Sequence, residues 1–305
     1  MIRANSPKFS DYFAYFLLMV FSLLSRLLPL VFWCQMGRLF GGFLYLLGAP
    51  FKRISMVNLR FAYGDELTRK ERRSITRGNI IHLGIGVFEW IRMLRLTEKR
   101  RQQICQKVMI EGQEHLDAAR KAKGKIILLS AHYGQWEYAT LKYASEINPL
   151  SFIVRAIDNP LVERERWLYH DRFGARILYK DSGLREAIRG LNRGEDLLLL
   201  PDRKAQLHEG IPAQFFNQKT STLTIAVSLA QKYDAALVPM FILRSENLGG
   251  HRLIFEPALE VENLPLAEAV QLQNDCIERQ IRRHPEMWLW LHRKWKCYHE
   301  EIYRR

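Results

Sequence analysis

The sequence is poor in cysteine and short of acid. Its 305 residues include four cysteines, Cys34, Cys105, Cys276 and Cys297, scattered with no C-x-x-C pair. That excludes a disulfide framework and a cysteine-built zinc site, and it suits thiols kept reduced on a cytosolic face. No G-x-S-x-G is present, so the chain carries no nucleophile elbow. No internal repeat and no low-complexity segment occurs, which rules out solenoids and tethers. The histidines at His82, His115, His170, His208, His251 and His299 show no ligand spacing, so neither metal nor cofactor is expected.

Acid is outnumbered, with 32 Asp and Glu against 46 Lys and Arg, a net charge of +14. Such an excess points to an anionic partner: a membrane surface, a phosphorylated substrate or nucleic acid. The basic residues are spread along the chain with no RNA- or DNA-binding motif, so nucleic acid is not the expected partner.

Apolar sequence is abundant at the N-terminus. Residues 12 to 34, "YFAYFLLMVFSLLSRLLPLVFWC", hold one charge, Arg26, and one proline, Pro29. The run is long enough for a bilayer core of about 20 helical residues. It is too long for a signal-peptide core, and no small-residue cleavage site closes it. A second apolar stretch, "GRLFGGFLYLLGAPF", covers 37 to 51, and Lys52, Arg53 and Arg60 follow it. Residues 1–51 are therefore expected to anchor the chain, either spanning the bilayer or lying in its interface, with a buried core helix as the bland alternative. The heavier basic load downstream places the body, residues 52–305, on the cytoplasmic side.

Beyond the lead, residues 66 to 104 read as helical, with Arg and Lys beside an apolar stripe. Short apolar runs then alternate with amphipathic segments. Strands are expected at 125–130, 150–155, 196–201, 235–243 and 252–257, and helices at 135–147, 161–172, 182–193 and 220–232. The fold class is α/β, a largely parallel or mixed central sheet covered by helices on both faces. The last strand has no helix before it and is the candidate for an antiparallel partner. In such sheets the site lies beyond the carboxyl ends of the strands. His132, Arg155 and Asp202 each follow such an end.

His132 stands in "AHYGQWE", with Glu137 five residues on. On one regular helix that spacing turns the pair about 140° apart, so they meet only if His132 is still in the loop and Glu137 in the first turn. Gly134 allows the sharp backbone turn between them. A carboxylate on one imidazole nitrogen fixes the tautomer, which leaves the other nitrogen free to take a proton from a substrate hydroxyl. The alternative is a helix start with an exposed glutamate.

The segment resembles the H-x-x-x-x-D/E signature of glycerolipid-type acyltransferases, in the form used by the bacterial lipid A late acyltransferase family. Three further blocks match in order: "VRAIDNP" at 154–160, "LLLLPDRKA" at 197–205 with "GIPAQFF" at 210–216, and "HPEMWLWLHRKWK" at 284–296. With the apolar lead the resemblance covers nearly the whole chain.

The resemblance implies an O-acyltransferase at the cytoplasmic face of the bacterial inner membrane. It would move an acyl chain from a thioester, commonly on the acidic acyl carrier protein, to a hydroxyl of a phosphorylated glycolipid. On these residues His132 would be the general base and Glu137 would orient it. Arg155, Asp158, Asn159, Asp202, Arg203, His292 and Arg293 would contact substrate, Arg155 and Arg203 as anion contacts. Arg203 and Lys204 depart from relatives that carry an uncharged residue or His after the P-D pair, which bears on substrate identity more than reaction type. Other acceptors, acyl-CoA as donor, and water as acceptor stay open. So does a non-enzymatic, membrane-tethered binder of anionic lipid or nucleic acid.

Overall fold

The computed structural model describes residues 6–179, 183–246 and 248–304. The apolar lead forms two helices, α1 (Phe9–Leu24) and α2 (Leu30–Leu47). The expected continuous segment at 12–34 is thus broken. Pro29 caps α2, and the Arg26 guanidinium donates to the Leu94 and Arg95 carbonyls. Proline has no N–H to continue α1, and the arginine is held by the body, so the chain turns there. Among the described residues, α2 is the one helix long and apolar enough to cross a membrane. The boundary expected at residue 51 falls inside α3 (Ala49–Tyr63).

The helical stretch at 66–104 is two helices, α4 (Arg69–Met93) and α5 (Glu98–Cys105). Thr68 and Glu71 close a reciprocal capping box at the start of α4, satisfying two orphan N–H groups. The break falls at Arg95, whose φ of 51° cannot continue a helix.

A seven-stranded sheet follows, in the order β1-β9-β8-β2-β5-β3-β4. Its strands are β1 (Val108–Glu111), β2 (Ile126–Leu129), β3 (Leu150–Val154), β4 (Ala175–Tyr179), β5 (Asp196–Leu199), β8 (Ala236–Arg244) and β9 (His251–Phe255). All neighbours run parallel except β8 and β9, so the sheet is mixed, and the turn-back falls at the last strand as expected. Strands β1 and β4 were not foreseen. Both are edge strands, partly exposed, and each has its short apolar run broken by a charged residue, Glu111 or Arg176, unlike the unbroken run of an interior strand.

Alternate residues feed two cores. Ile127, Leu129, Leu197, Leu237 and Phe241 face one, and Ile126, Leu128, Leu198, Val238 and Met240 face the other. Covering the first are α9 (Gly183–Asn192), α10 (Ile225–Tyr233) and α11 (Leu266–Arg283); α6 (Gln113–Lys123), α7 (Trp136–Glu146) and α8 (Pro160–Arg172) cover the second. Residue 182, the expected start of α9, lies outside the described residues.

The helix expected at 220–232 begins only at Ile225. Its first residues belong to a hairpin of β6 (Gly210–Phe215) and β7 (Gln218–Leu223). Phe216 and Asn217 both take positive φ, 53° and 55°, the geometry of the primed two-residue turn that matches strand twist.

Candidate active site

Strands β2 and β5 are parallel neighbours, with Leu129 opposite Leu199, so their carboxyl ends open on the same sheet edge. His132 leaves β2 and Asp202 leaves β5. Between His132 and α7, Gly134 takes φ +59°, and a Cβ there would lie 2.1 Å from the Ile242 carbonyl oxygen. Only glycine fits both demands. The C-terminal segment locks the loop from the other side: the Gly134 N–H donates to Met287 O and the Leu289 N–H to His132 O, at 3.0 and 3.1 Å.

The expected bond between His132 and Glu137 is not what the structure contains. Asp202 takes that place, its Oδ1 2.9 Å from His132 Nδ1. Its Oδ2 accepts the His132 backbone N–H at 2.9 Å and the Trp288 indole N–H at 2.8 Å. Burial by itself would raise the Asp202 carboxyl, but the adjoining imidazole and these donated bonds hold it well below the usual carboxylate range. An ionised carboxylate only accepts, so Nδ1 carries a proton, and in the neutral ring the lone pair is then on Nε2. Nε2 has no hydrogen-bond partner among the described residues. The His132 side chain is 26% exposed and that of Asp202 2%, so the imidazole reaches the cleft while its partner is sealed behind it.

The cleft, about 230 Å³, is walled by His132, Glu137 and Trp136 on one side and by Leu83, Val87 and Trp90 of α4 on the other. His82, Arg244 and Met287 also line a larger chamber of about 750 Å³, so the two spaces adjoin. Glu137 therefore shares the cleft with His132 without touching it. The Tyr169 hydroxyl donates to it, and His170 Nε2 lies 3.6 Å away. Burial lowers His170 and keeps it neutral, the nearby carboxylate offsetting this only in part.

The remaining expected residues fall in two places. Arg203 is exposed beside Asp202, and its carbonyl accepts from the buried Lys294 ammonium at 3.3 Å. His292 lies near the pair, lowered to about 4 by burial and by the charge of Arg203. Arg293 points away, its guanidinium over the Tyr303 ring. Arg155, Asp158 and Asn159 lie on the β3–α8 connection, outside the cleft lining. Arg155 and Asp158 pair at 2.8 Å on the open surface, 84% and 90% exposed. The Asn159 Oδ1 caps α8 by accepting the Leu161 and Val162 N–H groups.

Four residues that the sequence reading did not assign to the site hold it. Trp288 fixes Asp202. Asn58 donates to the Trp290 and His292 carbonyls, and Asn79 to those of Glu286 and Trp288, which ties the C-terminal segment to α3 and α4. Lys294, fully buried, is brought down to about 8 by burial. Trp288 and Lys294 sit inside a motif already noted. The two asparagines, each one polar residue among several in its helix, gave no local signal.

A histidine paired with a buried aspartate at adjacent parallel strand ends, its ring lining an apolar-walled cleft, is an arrangement that can activate a hydroxyl or water. Residues 2–297 match the sequence profile of the bacterial lipid A biosynthesis acyltransferases, and the chain belongs to that family. It is 26% identical over 216 residues to a lipid A biosynthesis acyltransferase of Haemophilus influenzae, covering 69% of this chain and 64% of that protein. Against the lipid A biosynthesis lauroyltransferase of Escherichia coli, identity is 26% over 80% of this chain and 79% of the relative. A phosphatidylinositol mannoside acyltransferase of Mycobacterium tuberculosis is 24% identical over 68% of this chain and 66% of its own.

Proposed function

We propose that the protein is a membrane-associated O-acyltransferase moving a fatty acyl chain from an acyl thioester to a hydroxyl of a phosphorylated lipid A precursor. His132 Nε2 takes the acceptor's proton as its oxygen attacks the thioester carbonyl. Asp202 keeps the proton on Nδ1 and stabilises the imidazolium as it forms. Collapse of the tetrahedral intermediate expels the thiolate, and the imidazolium returns the proton to it. Glu137, the second carboxylate on the cleft wall, orients the acceptor in this reading.

The observation that carries it is the His132–Asp202 pair with Nε2 open to an apolar-walled cleft. The family, and the relatives' names, supply the acyl group and the lipid acceptor. The surplus of basic residues suits an acidic acyl carrier protein as donor, with Arg155 and Arg203 as exposed cations toward it. In this reading the enzyme works at the cytoplasmic face of the inner membrane, which the basic load after the apolar lead supports. Arg203 and Lys204 next to the pair, with the mannoside acyltransferase among the relatives, support a second reading in which the acceptor is another glycolipid.

The test has two arms. Purified protein is assayed for transfer of a labelled acyl chain from acyl carrier protein to a phosphorylated lipid A precursor, and lipid A from a deletion strain is weighed by mass spectrometry. Transfer in vitro and loss of one secondary acyl chain in the strain are expected. Full acylation in the strain with no transfer in vitro would sink the assignment.

A further inference from the structure

We propose that α1 and α2 lie in the plane of one bilayer leaflet as a platform that seats the cleft on the membrane, and that neither helix spans it. This goes beyond the function proposed above and rests on its membrane location alone.

The composition of α2 permits a span, but its packing forbids one. Its buried stripe, Trp33, Cys34, Gly37 and Gly41, runs along α4 in the opposite direction. A methyl on Gly41 would lie 2.7 Å from the Ile81 Cα, and one on Gly84 would lie 2.6 Å from the Gly37 carbonyl oxygen. Backbones that close cannot part without losing the contact. The Trp33 indole donates to the Phe88 carbonyl at 2.6 Å, and Arg92 donates to the Ser25 and Leu28 carbonyls that join the two helices.

Helix α4 cannot enter hydrocarbon with its partner. It lines the cleft with Asn79 and His82, holds the buried Glu89–Arg244 pair, and opens with the charged turns at Arg69, Lys70, Glu71, Arg72 and Arg73. Charged and polar groups at the bilayer centre are expensive. A spanning α2 would drag this wall of the cleft across the membrane.

Helix α1 is tied along its length as well. The Asn159 amide donates to the Asp11 carbonyl, the Tyr15 hydroxyl donates to Glu165 beside Arg95, and the Ser22 hydroxyl donates to the Leu94 carbonyl. The Glu165–Arg95 charge pair that Tyr15 joins is expensive inside hydrocarbon, so this tie keeps α1 at the membrane surface.

The outer faces of both helices agree with this placement. Phe9, Phe13, Phe16 and Leu23 of α1 and Phe32, Leu39, Phe43 and Leu46 of α2 are all exposed, Leu39 by 74%. Trp167 and Leu168 of α8 are exposed too, on the helix to which α1 is tied. A contiguous apolar surface of this kind needs a cover. Lys8 precedes α1, and Lys52 and Arg53 follow α2, placed for anionic headgroups at the border of a face with one charge in each helix, Asp11 and Arg38. The occupant that fits an apolar face with a basic rim is an anionic bilayer leaflet. Leu18 of α1 and Trp90 of the cleft wall pack on the same Trp33–Phe88–Ile91 cluster, so the mouth of the cleft adjoins the platform.

The test uses the full chain in vesicles of phosphatidylethanolamine and phosphatidylglycerol. Phe32→Cys, Leu39→Cys and Leu46→Cys are spin-labelled singly, and the depth of each label is read against oxygen and a soluble nickel chelate, unsubstituted protein giving the background. One shallow depth for all three is expected. Depth passing through the midplane from one end of α2 to the other overturns the proposal and leaves membrane association standing. Labels that see no lipid, with the protein dimeric, assign the face to a second copy and overturn it as well. The triple variant Phe32→Glu, Leu39→Glu, Phe43→Glu changes exposed side chains only, and should cut vesicle co-sedimentation at least about tenfold with thermal melting unchanged. Undiminished sedimentation overturns the platform, and failure of the unsubstituted protein to sediment removes the membrane reading with it.

Discussion

His132 with Asp202 and His170 with Glu137 are two histidine–carboxylate pairs within one domain, and they are built for opposite ends. In the first the contact is a 2.9 Å hydrogen bond, the carboxylate is sealed, and the imidazole reaches the cleft. In the second the 3.6 Å separation is too long for a hydrogen bond, the histidine is sealed, and the carboxylate reaches the cleft. A buried histidine with no donor or acceptor at either ring nitrogen cannot exchange a proton with a substrate. What separates the two pairs is which member faces the open space, a matter of burial that residue type does not reveal.

The largest effects should come from breaking the first pair. His132→Ala should lower acyl transfer by about 10²–10⁴-fold, the range general-base catalysis supplies, as read in a single-turnover assay with labelled acyl donor. Asp202→Asn should fall in the same range, because an amide can donate to Nδ1 and so leaves the proton on Nε2. His170→Gln is the control and should stay within about tenfold of the parent, since no proton passes through it. Loss of transfer in His170→Gln as complete as in His132→Ala would erase the distinction between the pairs.

Glu137→Gln sharpens the comparison. Because Glu137 touches Tyr169 and not the His132 ring, its loss should be milder than that of Asp202→Asn, about 10–100-fold, and should appear in KM for the acceptor as well as in kcat. If Glu137→Gln proves the more damaging of the two, the carboxylate nearer in sequence is the one that serves the base.

Lys294 gives a stability prediction with a definite sign. Burial brings the ammonium down to about 8, while an unfolded lysine titrates near 10.4. Between those values the unfolded chain binds the extra proton, so stability should rise with pH, by roughly 3 kcal/mol in all. Denaturant melts from pH 7 to 10 should show that rise in the parent and a flatter profile in Lys294→Met.

The smallest effect belongs to Arg155→Ala. Its pair with Asp158 is almost fully exposed, so stability should change by no more than about 0.5 kcal/mol. If the guanidinium meets the acidic donor, KM for acyl carrier protein should rise several-fold at constant kcat and become less sensitive to salt. Unchanged kinetics would leave Arg155 to its surface pair.

Much of this was legible beforehand because local pattern carried it. The interior strands announced themselves as unbroken apolar runs, since a strand buried on both faces has no polar side to show. The edge strands β1 and β4, each only three or four apolar residues beside a charged one, had no such mark. The β6–β7 hairpin was hidden by a turn made from Phe216 and Asn217, without the usual glycine. In the lead, the sequence supplied apolar length, but glycine contacts between α2 and α4 determined how that length packs.

Strand-end positions for His132, Arg155 and Asp202 followed from the sequence itself, because apolar runs end where the sheet edge opens. Their partners did not. Glu137 lies five residues from His132 and Asp202 lies 70 away, yet Asp202 holds the ring because β2 and β5 are adjacent in the sheet. Strand order is fixed by long-range pairing, in which each strand is satisfied by the whole sheet's hydrogen bonds and by the packing of both cores. No window of sequence contains that information. The sequence determined which residues could do the chemistry, and the tertiary structure decided which of them meet.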